Sequence, residues 1–210
     1  MTTTNPLGSA VGADDRVDNA GSAAQRERRK RILDATYDLA KDGGFDAVQM
    51  RAVAEQADVA LGTLYRYFPS KIHLLVSALD QQFEDAQSRL QARDIPGDTP
   101  AERVLYVLKR LTRGMQGDPK LTEALTRAFM FADSSVASEI HAVGMSMTSI
   151  VTQAMHGGAV ERDAITDDDV TLARVIGDVW LSALMAWVTG RSTAPETAAH
   201  METAVRLILR

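Results

Sequence analysis

One stretch of the chain combines the residue types that contact DNA. Residues 61–71 read LGTLYRYFPSK. Gly62 lacks a Cβ and lets the backbone approach a phosphate closely, and Thr63 can donate to a phosphate or touch a thymine methyl group. Arg66 and Lys71 supply positive charge, and two tyrosines offer phenolic donors on flat apolar rings. These residue types at this spacing indicate recognition of a nucleic acid.

Two short helices joined by a tight turn would position these side chains. Val48 and Val53 give the first helix its buried side, and the small residues of 54–59 form a turn that lets two helices meet at a steep angle. The second helix, predicted over 60–67, commits only Leu64 to packing. Because it directs so few apolar residues inward, we expect it to face a partner, as the second helix of a helix-turn-helix does.

The aromatic residues of this stretch have two possible roles. Tyr65, Tyr67 and Phe68 could all be core aromatics instead of DNA contacts. The pattern favours the core for Phe68, and it favours a phosphate contact for Tyr67 and for the neighbouring Lys71.

The charge distribution agrees with a DNA-binding N-terminal part. The net charge is −5, but residues 1–71 hold ten Lys and Arg and ten Asp and Glu, whereas residues 72–210 hold 13 and 18. Before the predicted helix-turn-helix, five basic residues surround a single Glu27: Arg26, Arg28, Arg29, Lys30 and Arg31. A solvated helix face explains such a run equally well on its own, but its position favours phosphate contact.

The overall composition is that of an ordinary globular chain. Of its 210 residues, 45% are apolar and 24% are charged. The absence of cysteine excludes disulfides and thiolate metal sites and suits a reducing cytoplasm. We find no apolar run long enough to cross a bilayer and no signal-peptide region, so the sequence predicts a cytoplasmic protein without a membrane partner.

The motif LGTLYRYFPSK, with AVAEQADV before it and an amphipathic helix after it, resembles the DNA-binding domain of the TetR family of transcriptional repressors. The aromatic spacing, Gly62 and the Phe-Pro-Ser-Lys exit all match. The resemblance implies an all-α fold of about nine helices. A three-helix DNA-binding domain would occupy 22–71, and a ligand-binding and dimerisation domain would occupy 72–210. It also implies a homodimer on palindromic double-stranded operator DNA, with half-sites about one turn, roughly 34 Å, apart.

Residue chemistry and this resemblance together predict the DNA contacts. Two positions depart from the family pattern: Gln49 and Ala60 stand where a Ser or Thr usually caps a helix, so both caps should be weaker. The predicted DNA contacts are Arg28, Arg29, Gln49, Arg51, Leu61, Gly62, Thr63, Tyr65, Arg66, Tyr67 and Lys71.

The remaining helices are indicated by local signals. Residues 1–21 lack periodicity and should form a disordered arm, after which Ser22 and Gln25 can form a capping box and Gly43-Gly44 ends the helix. The later helices should begin at Ser70, Thr99, Asp118, Ser135, Thr166 and Pro195. Gly157-Gly158 should end the helix before Thr166.

The helix predicted over 170–189 is apolar nearly all round, with Ile176, Trp180 and Leu184 among its large residues. Such a helix needs apolar neighbours on more than one side. One neighbour is its own domain, and we expect the other to be a second subunit, which the final helix would help to bind.

The C-terminal part is also rich in methionine, with nine in the whole chain. Methionine and aromatic side chains line adaptable apolar pockets, although plain core filling explains each residue as well. Since charged residues are sparse there, we expect a large apolar effector instead of a small polar one. The predicted ligand contacts are Phe83, Met115, Phe129, Met130, Met147, Val151, Trp180 and Leu184.

Nothing in the sequence indicates an enzyme. The four histidines lie on different predicted helices without the spacing of metal ligands, and each should be a surface or helix-end residue. We find no phosphate-binding glycine loop and no nucleophile with a base beside it. The sequence therefore predicts no catalytic residue, no metal and no cofactor.

Over its full length the chain also resembles the KstR branch of the family, the sterol-catabolism repressors of actinobacteria. That resemblance implies control of sterol or lipid degradation genes and release by a steroid acid bound to coenzyme A. Ligand among helices 5–8 would let helix 4 shift the two DNA-binding domains. Alternatives are a regulator of other lipid, fatty-acid or efflux genes, an effector-independent architectural DNA binder, and a helical lipid carrier.

Overall fold

A computed structural model describes residues 14–91, 94–160 and 164–210, with side chains from residue 23 onward. These ranges contain helices and connecting segments and no strand, which confirms the all-α fold. The helices are α1 (Asp14–Ala47), α2 (Met50–Gln56), α3 (Leu61–Tyr67), α4 (Lys71–Gln91), α5 (Pro100–Gly117), α6 (Pro119–Met130), α7 (Ala137–His156), α8 (Asp167–Val188) and α9 (Ala194–Ile208). A short 3₁₀ turn, Ser134–Val136, precedes α7.

Helix α1 is longer than predicted. It begins at Asp14, so the expected disordered arm is wrong for residues 14–21, and its remainder, 1–13, lies outside the described residues. The chain is already helical at Ser22, so the predicted capping box does not start this helix. At the other end, Gly44 has φ 69° and ψ −159°, a conformation that favours glycine, and it breaks the helix as the Gly-Gly pair predicted.

Reciprocal side-chain caps begin three of the C-terminal helices. Thr99 with Glu102 opens α5 and Thr166 with Asp169 opens α8, both as the local sequence indicates. Thr193 with Glu196 opens α9 and places Pro195 in its first turn. Pro119 begins α6, but Asp118 makes no side-chain cap bond.

The glycine pair after α7 ends that helix as predicted. Gly157 is left-handed, with φ 86°, and the N–H of Gly158 donates to the Gln153 carbonyl at 3.0 Å. Helix α7 therefore ends at His156 because Gly157 can adopt the left-handed backbone conformation that terminates it.

Helix α4 connects the N-terminal helices to the C-terminal ones. It buries an unbroken run from His73 to Leu79 and packs against α1, α6 and α7. Helix α6 packs on both α1 and α4, so the N-terminal domain is held by two elements of the C-terminal domain. Fully buried Ile32, Leu64 and Leu75 belong to the same hydrophobic core.

Helix α8 is the one described helix whose length and hydropathy alone would suffice to cross a membrane, which corrects the expectation that no such run exists. It packs on α7 and α9 in the folded chain. Only 28% of its most apolar window is buried there, and Val170 and Val175 are exposed. Its predicted all-round apolar surface is thus only partly covered by its own chain.

Candidate nucleic-acid interface and ligand cavity

Helix α3 packs through one side chain and presents most of the others outward. Leu64 is fully buried, whereas Leu61 and Tyr65 are 40% and 46% exposed. Gly62 and Arg66 are also exposed, and Thr63 and Tyr67 are half-buried. Just beyond the helix, Phe68 is buried, which confirms its predicted core role.

The start of α3 is weakly capped, as the sequence predicts. Ala60 and Gln49, the N-cap residues of α3 and α2, make no side-chain cap bond. Gln49 is instead exposed. Its side chain lies at the surface of the helix-turn-helix, where the predicted DNA contacts are gathered.

A basic cleft of about 550 Å³ lies between α1 and α3. Arg28 from the predicted basic cluster and Arg66 from α3 both line it, together with Tyr67, Ala24 and Gln25. Two guanidinium groups and a phenol on one concave surface suit a phosphate of a nucleic-acid backbone. The fold therefore brings together groups that are nearly 40 positions apart in sequence.

Arg29 is partly engaged within the fold. Its Nη1 donates to Gln81 Oε1 on α4 at 3.2 Å, and its guanidinium carbon lies 5.8 Å from the centroid of the Phe68 ring. These contacts hold α1 against α4. Arg29 thus supports the placement of the basic cleft in addition to contributing charge.

Arg51 lies on the exposed side of α2. Its side chain is 84% exposed and its Nε donates to Glu55 Oε1 at 3.0 Å. An exposed pair of this kind contributes little to stability, so the guanidinium can exchange Glu55 for a phosphate at small cost.

Lys71 occupies the boundary between the two domains. Its Nζ lies 3.8 Å from the centroid of the Phe45 ring, at the end of α1. Burial lowers the pKa of the Lys71 ammonium, and the nearby Arg127 guanidinium adds to that effect. The structure therefore places this predicted phosphate contact on an aromatic ring beside α6.

Several polar contacts join the end of α1 to the start of α6, which we call the α1–α6 junction. Lys120 Nζ donates to the Asp42 carbonyl at 2.7 Å, and the Phe45 N–H donates to Glu123 Oε2 at 3.4 Å. Arg127 Nη1 lies 3.8 Å from Asp46 Oδ1. A displacement of α6 would therefore act on the end of α1, which packs against α2 of the helix-turn-helix.

The C-terminal domain contains a cavity with two lobes. The α4–α5 lobe has a volume of about 400 Å³ and the α7–α8 lobe a volume of about 600 Å³. Phe83 and Met115 line both, so they form the partition. Phe83 packs edge-on against Trp180, with ring centroids 5.9 Å apart, and Trp180 Nε1 donates to Thr112 Oγ1 at 2.9 Å.

Six of the predicted ligand contacts lie in the cavity wall and two do not. Phe83, Met115, Phe129, Met147, Trp180 and Leu184 line it. Met130 is 61% exposed because α6 ends there and its side chain points away from the core. Val151 is fully buried but lines neither lobe, so it is a packing residue. The cavity therefore gives no support to the predicted ligand contacts at these two positions.

Charged residues line the cavity, contrary to the expectation that they are sparse. Arg89, Asp94, Arg110 and Asp118 line the α4–α5 lobe. Asp133, His141, Arg174 and Asp178 line the α7–α8 lobe. Five of them lie on helices, and Asp94, Asp118 and Asp133 lie in the segments between helices. Both positions are typical of solvated residues, so periodicity alone does not separate these residues from surface charges.

Among the described residues, no group of acidic and histidine side chains is arranged to hold a metal ion. His73 lies in the first turn of α4, one of the two positions expected for the histidines, and it is only 8% exposed there. Its Nε2 lies 3.0 Å from the Ser135 carbonyl oxygen and its Nδ1 lies 2.9 Å from Ser70 Oγ. The ring links two distant segments and leaves no nitrogen for a metal.

Comparison with known families identifies both domains. Residues 32–78 match the profile described as bacterial regulatory proteins, tetR family, and residues 97–208 match the tetracyclin repressor-like C-terminal domain. This chain belongs to the TetR family. TetR regulators are DNA-binding proteins and not enzymes, in agreement with the sequence prediction.

Two curated TetR relatives cover nearly the whole chain. The HTH-type transcriptional repressor KstR of Rhodococcus jostii is 56% identical over 91% of this chain and 87% of its own length. KstR of Mycolicibacterium smegmatis is 53% identical over 90% of each chain. These identities confirm the expected resemblance to the KstR branch and make the protein a TetR-type transcriptional repressor.

Solved TetR structures share the fold. A TetR transcriptional regulator from Rhodococcus sp. RHA1 superposes with a TM-score of 0.80 and 31% identity, covering 89% of this chain and 97% of that one. FadR of Thermus thermophilus in complex with lauroyl-CoA superposes with a TM-score of 0.64 and 21% identity, covering 86% and 93%. The fold described above is thus shared with these two proteins.

Proposed function

We propose that this TetR repressor is a cytoplasmic homodimer that controls sterol or lipid catabolism genes and is released by a large hydrophobic effector such as a steroid-CoA thioester. The observation that carries the proposal is the two-lobed cavity in the domain behind the helix-turn-helix. Each lobe has the size of a small-molecule site, about 300–1,000 Å³.

The cavity lining suits a long ligand with an apolar body and polar ends. Phe129, Met147, Trp180 and Leu184 provide an apolar wall in the α7–α8 lobe. Arg89 and Arg110 lie in the wall of the other lobe and could meet an anionic group. A ligand spanning the partition would have to move Phe83 or Met115.

The choice of a sterol effector rests on similarity. KstR relatives exceed half identity over about 90% of the chain, and the resemblance to that branch implies sterol degradation genes. A fatty-acyl thioester is the second candidate, favoured by the shared fold with FadR bound to lauroyl-CoA. Both candidates have a bulky apolar part joined to coenzyme A.

The homodimer is supported by the surface of α8 and α9. Exposed apolar side chains on these helices include Val170, Val175 and Leu207. A two-fold dimer would bury them and present two copies of α3 to half-sites about one DNA turn, roughly 34 Å, apart.

Release would be a population shift between two domain arrangements. The effector must bind one arrangement more tightly, since equal affinity for both would shift nothing. Helix α4 carries part of the cavity wall and begins right after the helix-turn-helix. Helix α6 carries Thr126 and Phe129 in that wall and also the α1–α6 junction, which gives the N-terminal domain a second connection to the ligand.

The test is fluorescence anisotropy of the purified protein on labelled DNA from upstream of its own gene, with unlabelled competitor DNA. Probes are a steroid-acid CoA thioester, lauroyl-CoA and stearoyl-CoA. Release by the steroid thioester alone supports the proposal, and release by the fatty-acyl probes alone replaces the sterol by a fatty acid. Specific binding that no probe relieves would contradict the proposed effector.

A further inference from the structure

The segment between α6 and α7 belongs to both the ligand cavity and the interior packing of α4. Ala132 and Asp133 line the α7–α8 lobe, as does Ala137 at the start of α7. The Asp133 carboxylate accepts from the Ser135 backbone N–H at 2.8 Å and from the Ser135 hydroxyl at 2.6 Å. Asp133 therefore fixes the position of Ser135, and a ligand that moves Asp133 moves Ser135 as well.

His73 continues this line of hydrogen bonds to the exit of the helix-turn-helix. Because the Ser135 carbonyl only accepts, Nε2 of His73 carries the proton in their 3.0 Å hydrogen bond. In the neutral ring, Nδ1 then accepts from the Ser70 hydroxyl at 2.9 Å. Ser70 Oγ also accepts from the His73 backbone N–H at 3.4 Å, which is the N-terminal cap of α4.

Ser70, at one end of this series of hydrogen bonds, lies between α3 and α4. Ser70 lies two residues after Phe68, which caps the C-terminus of α3, and directly before Lys71, where α4 begins. The chain of hydrogen bonds from Asp133 through Ser135 and His73 to Ser70 therefore runs from the cavity wall to the short segment between α3 and α4. It joins residues 62 positions apart in sequence.

We infer that the hydrogen bond between His73 and the Ser135 carbonyl is a latch that transmits occupancy of the α7–α8 lobe to the helix-turn-helix. A ligand that displaces Asp133 withdraws the Ser135 carbonyl from His73. A buried donor left without an acceptor is costly, so the first turn of α4 must shift to satisfy it. His73 is thus a positioning residue that touches neither DNA nor ligand.

The first test compares two substitutions of the same side chain. His73→Leu removes both ring hydrogen bonds and keeps apolar volume, whereas His73→Gln keeps an N–H donor near the place of Nε2. The readout is the ratio of operator Kd with and without the steroid-acid CoA thioester. We expect the ratio of H73Q to match that of the wild type. The ratio of H73L should fall about two- to tenfold, which corresponds to the net free energy of one hydrogen bond.

Ligand affinity without DNA is measured through tryptophan fluorescence, because Trp180 lines the lobe. It should be no weaker in H73L, since His73 does not line the cavity. Asp133→Ala, at an exposed position, weakens the latch from its other end and should also lower the ratio. Wild-type ratios in both H73L and D133A would overturn the inference.

The inference rests on the proposed function in one respect, that the α7–α8 lobe is the effector site. A covalent probe separates the two. The chain has no cysteine, Gly144 lines this lobe, and a Cβ there meets no atom within 4 Å, so Gly144→Cys can be labelled with pyrene maleimide.

Labelling should weaken operator binding in G144C and do so less in G144C combined with H73L. An equal loss in both, or no loss in either, overturns the latch. If labelling acts through His73 while no thioester releases DNA, the latch stands and the proposed effector fails.

Discussion

The Nζ atom of Lys71 lies 3.8 Å from the centroid of the Phe45 ring, and the guanidinium carbon of Arg127 lies 4.4 Å from the same centroid. Two cations, one from the start of α4 and one from α6, thus share an aromatic ring at the end of α1. Each contact is attractive, by about 0.5–1 kcal/mol where exposed, while the cations repel each other. The ring therefore ties the DNA-binding domain to α4 and α6, two of the helices that carry cavity residues.

Replacing Phe45 by leucine keeps an apolar side chain and removes the ring from both cations. We expect the free energy of unfolding to fall by about 1–2 kcal/mol in urea denaturation. Lys71→Met is the matched control, because it removes only one of the cations. A smaller loss in F45L than in K71M would contradict a shared ring.

Arg51→Ala should weaken operator binding. It should also lower the slope of log Kd against log salt concentration by about one, the contribution of one phosphate contact. The guanidinium is exposed and only weakly paired. The dimer should therefore be unchanged in sedimentation experiments, and the free energy of unfolding should be unchanged in urea denaturation. Arg113→Ala, at an exposed position of α5, is the control and should leave DNA binding unaltered. Loss of the dimer in R51A would count against the assigned role.

The buried indole of Trp180 provides a stability test within the cavity wall. Thr112→Val keeps the shape of the side chain but removes the acceptor for Trp180 Nε1, which is 2.9 Å from Thr112 Oγ1. A buried donor left unsatisfied costs about 1–3 kcal/mol, so unfolding should require correspondingly less denaturant. Thr112→Ser retains the hydroxyl and should lose less. Equal stabilities of the two variants would show that the hydrogen bond contributes nothing.

The helix caps predict how stability responds to acid. Hydrogen bonds from their own N-cap threonines lower the pKa of Glu102, Asp169 and Glu196 below the ordinary values of 4.5 for Glu and 3.8 for Asp. A group whose folded pKa is depressed stabilises the protein above its unfolded pKa, and this stability is lost as pH falls through the folded pKa. The melting temperature should therefore drop as the pH falls below about 4.5.

The matched control for this pH dependence is the triple variant Glu102→Gln, Asp169→Asn and Glu196→Gln. It keeps polar side chains at the three cap positions and removes their titration. Its melting temperature should fall less between about pH 5 and pH 3 than that of the wild type. An equal fall in both proteins would assign the acid sensitivity to other groups.

Local features of the fold could be predicted from the sequence, because caps and glycine breaks depend on a few neighbouring residues. Thr99, Thr166 and Gly157 act as their immediate sequence indicates. The predicted start of α1 is wrong because a helix can continue through a polar sequence that has no periodic apolar residues.

Contacts between distant segments were harder to predict. Met147 and Val151 lie one turn apart on α7, yet only Met147 lines the cavity. Helical spacing identifies a buried face but not the depth at which each residue on it meets a neighbouring helix. The burial of His73 likewise depends on a carbonyl 62 positions away, and no local pattern indicates it.

The most direct test of the account is to fill the α7–α8 lobe and then titrate operator-bound protein with the steroid-acid CoA thioester. Gly144 lines this lobe and a Cβ there has free space, so Gly144→Trp adds a large side chain to the wall of the lobe, whereas Gly117→Trp adds one on α5 outside both lobes. Release that persists in G117W and is lost in G144W is the predicted result, as the anisotropy of labelled operator DNA would show. Release of G144W at wild-type thioester concentrations would contradict a ligand-controlled repressor that uses this cavity.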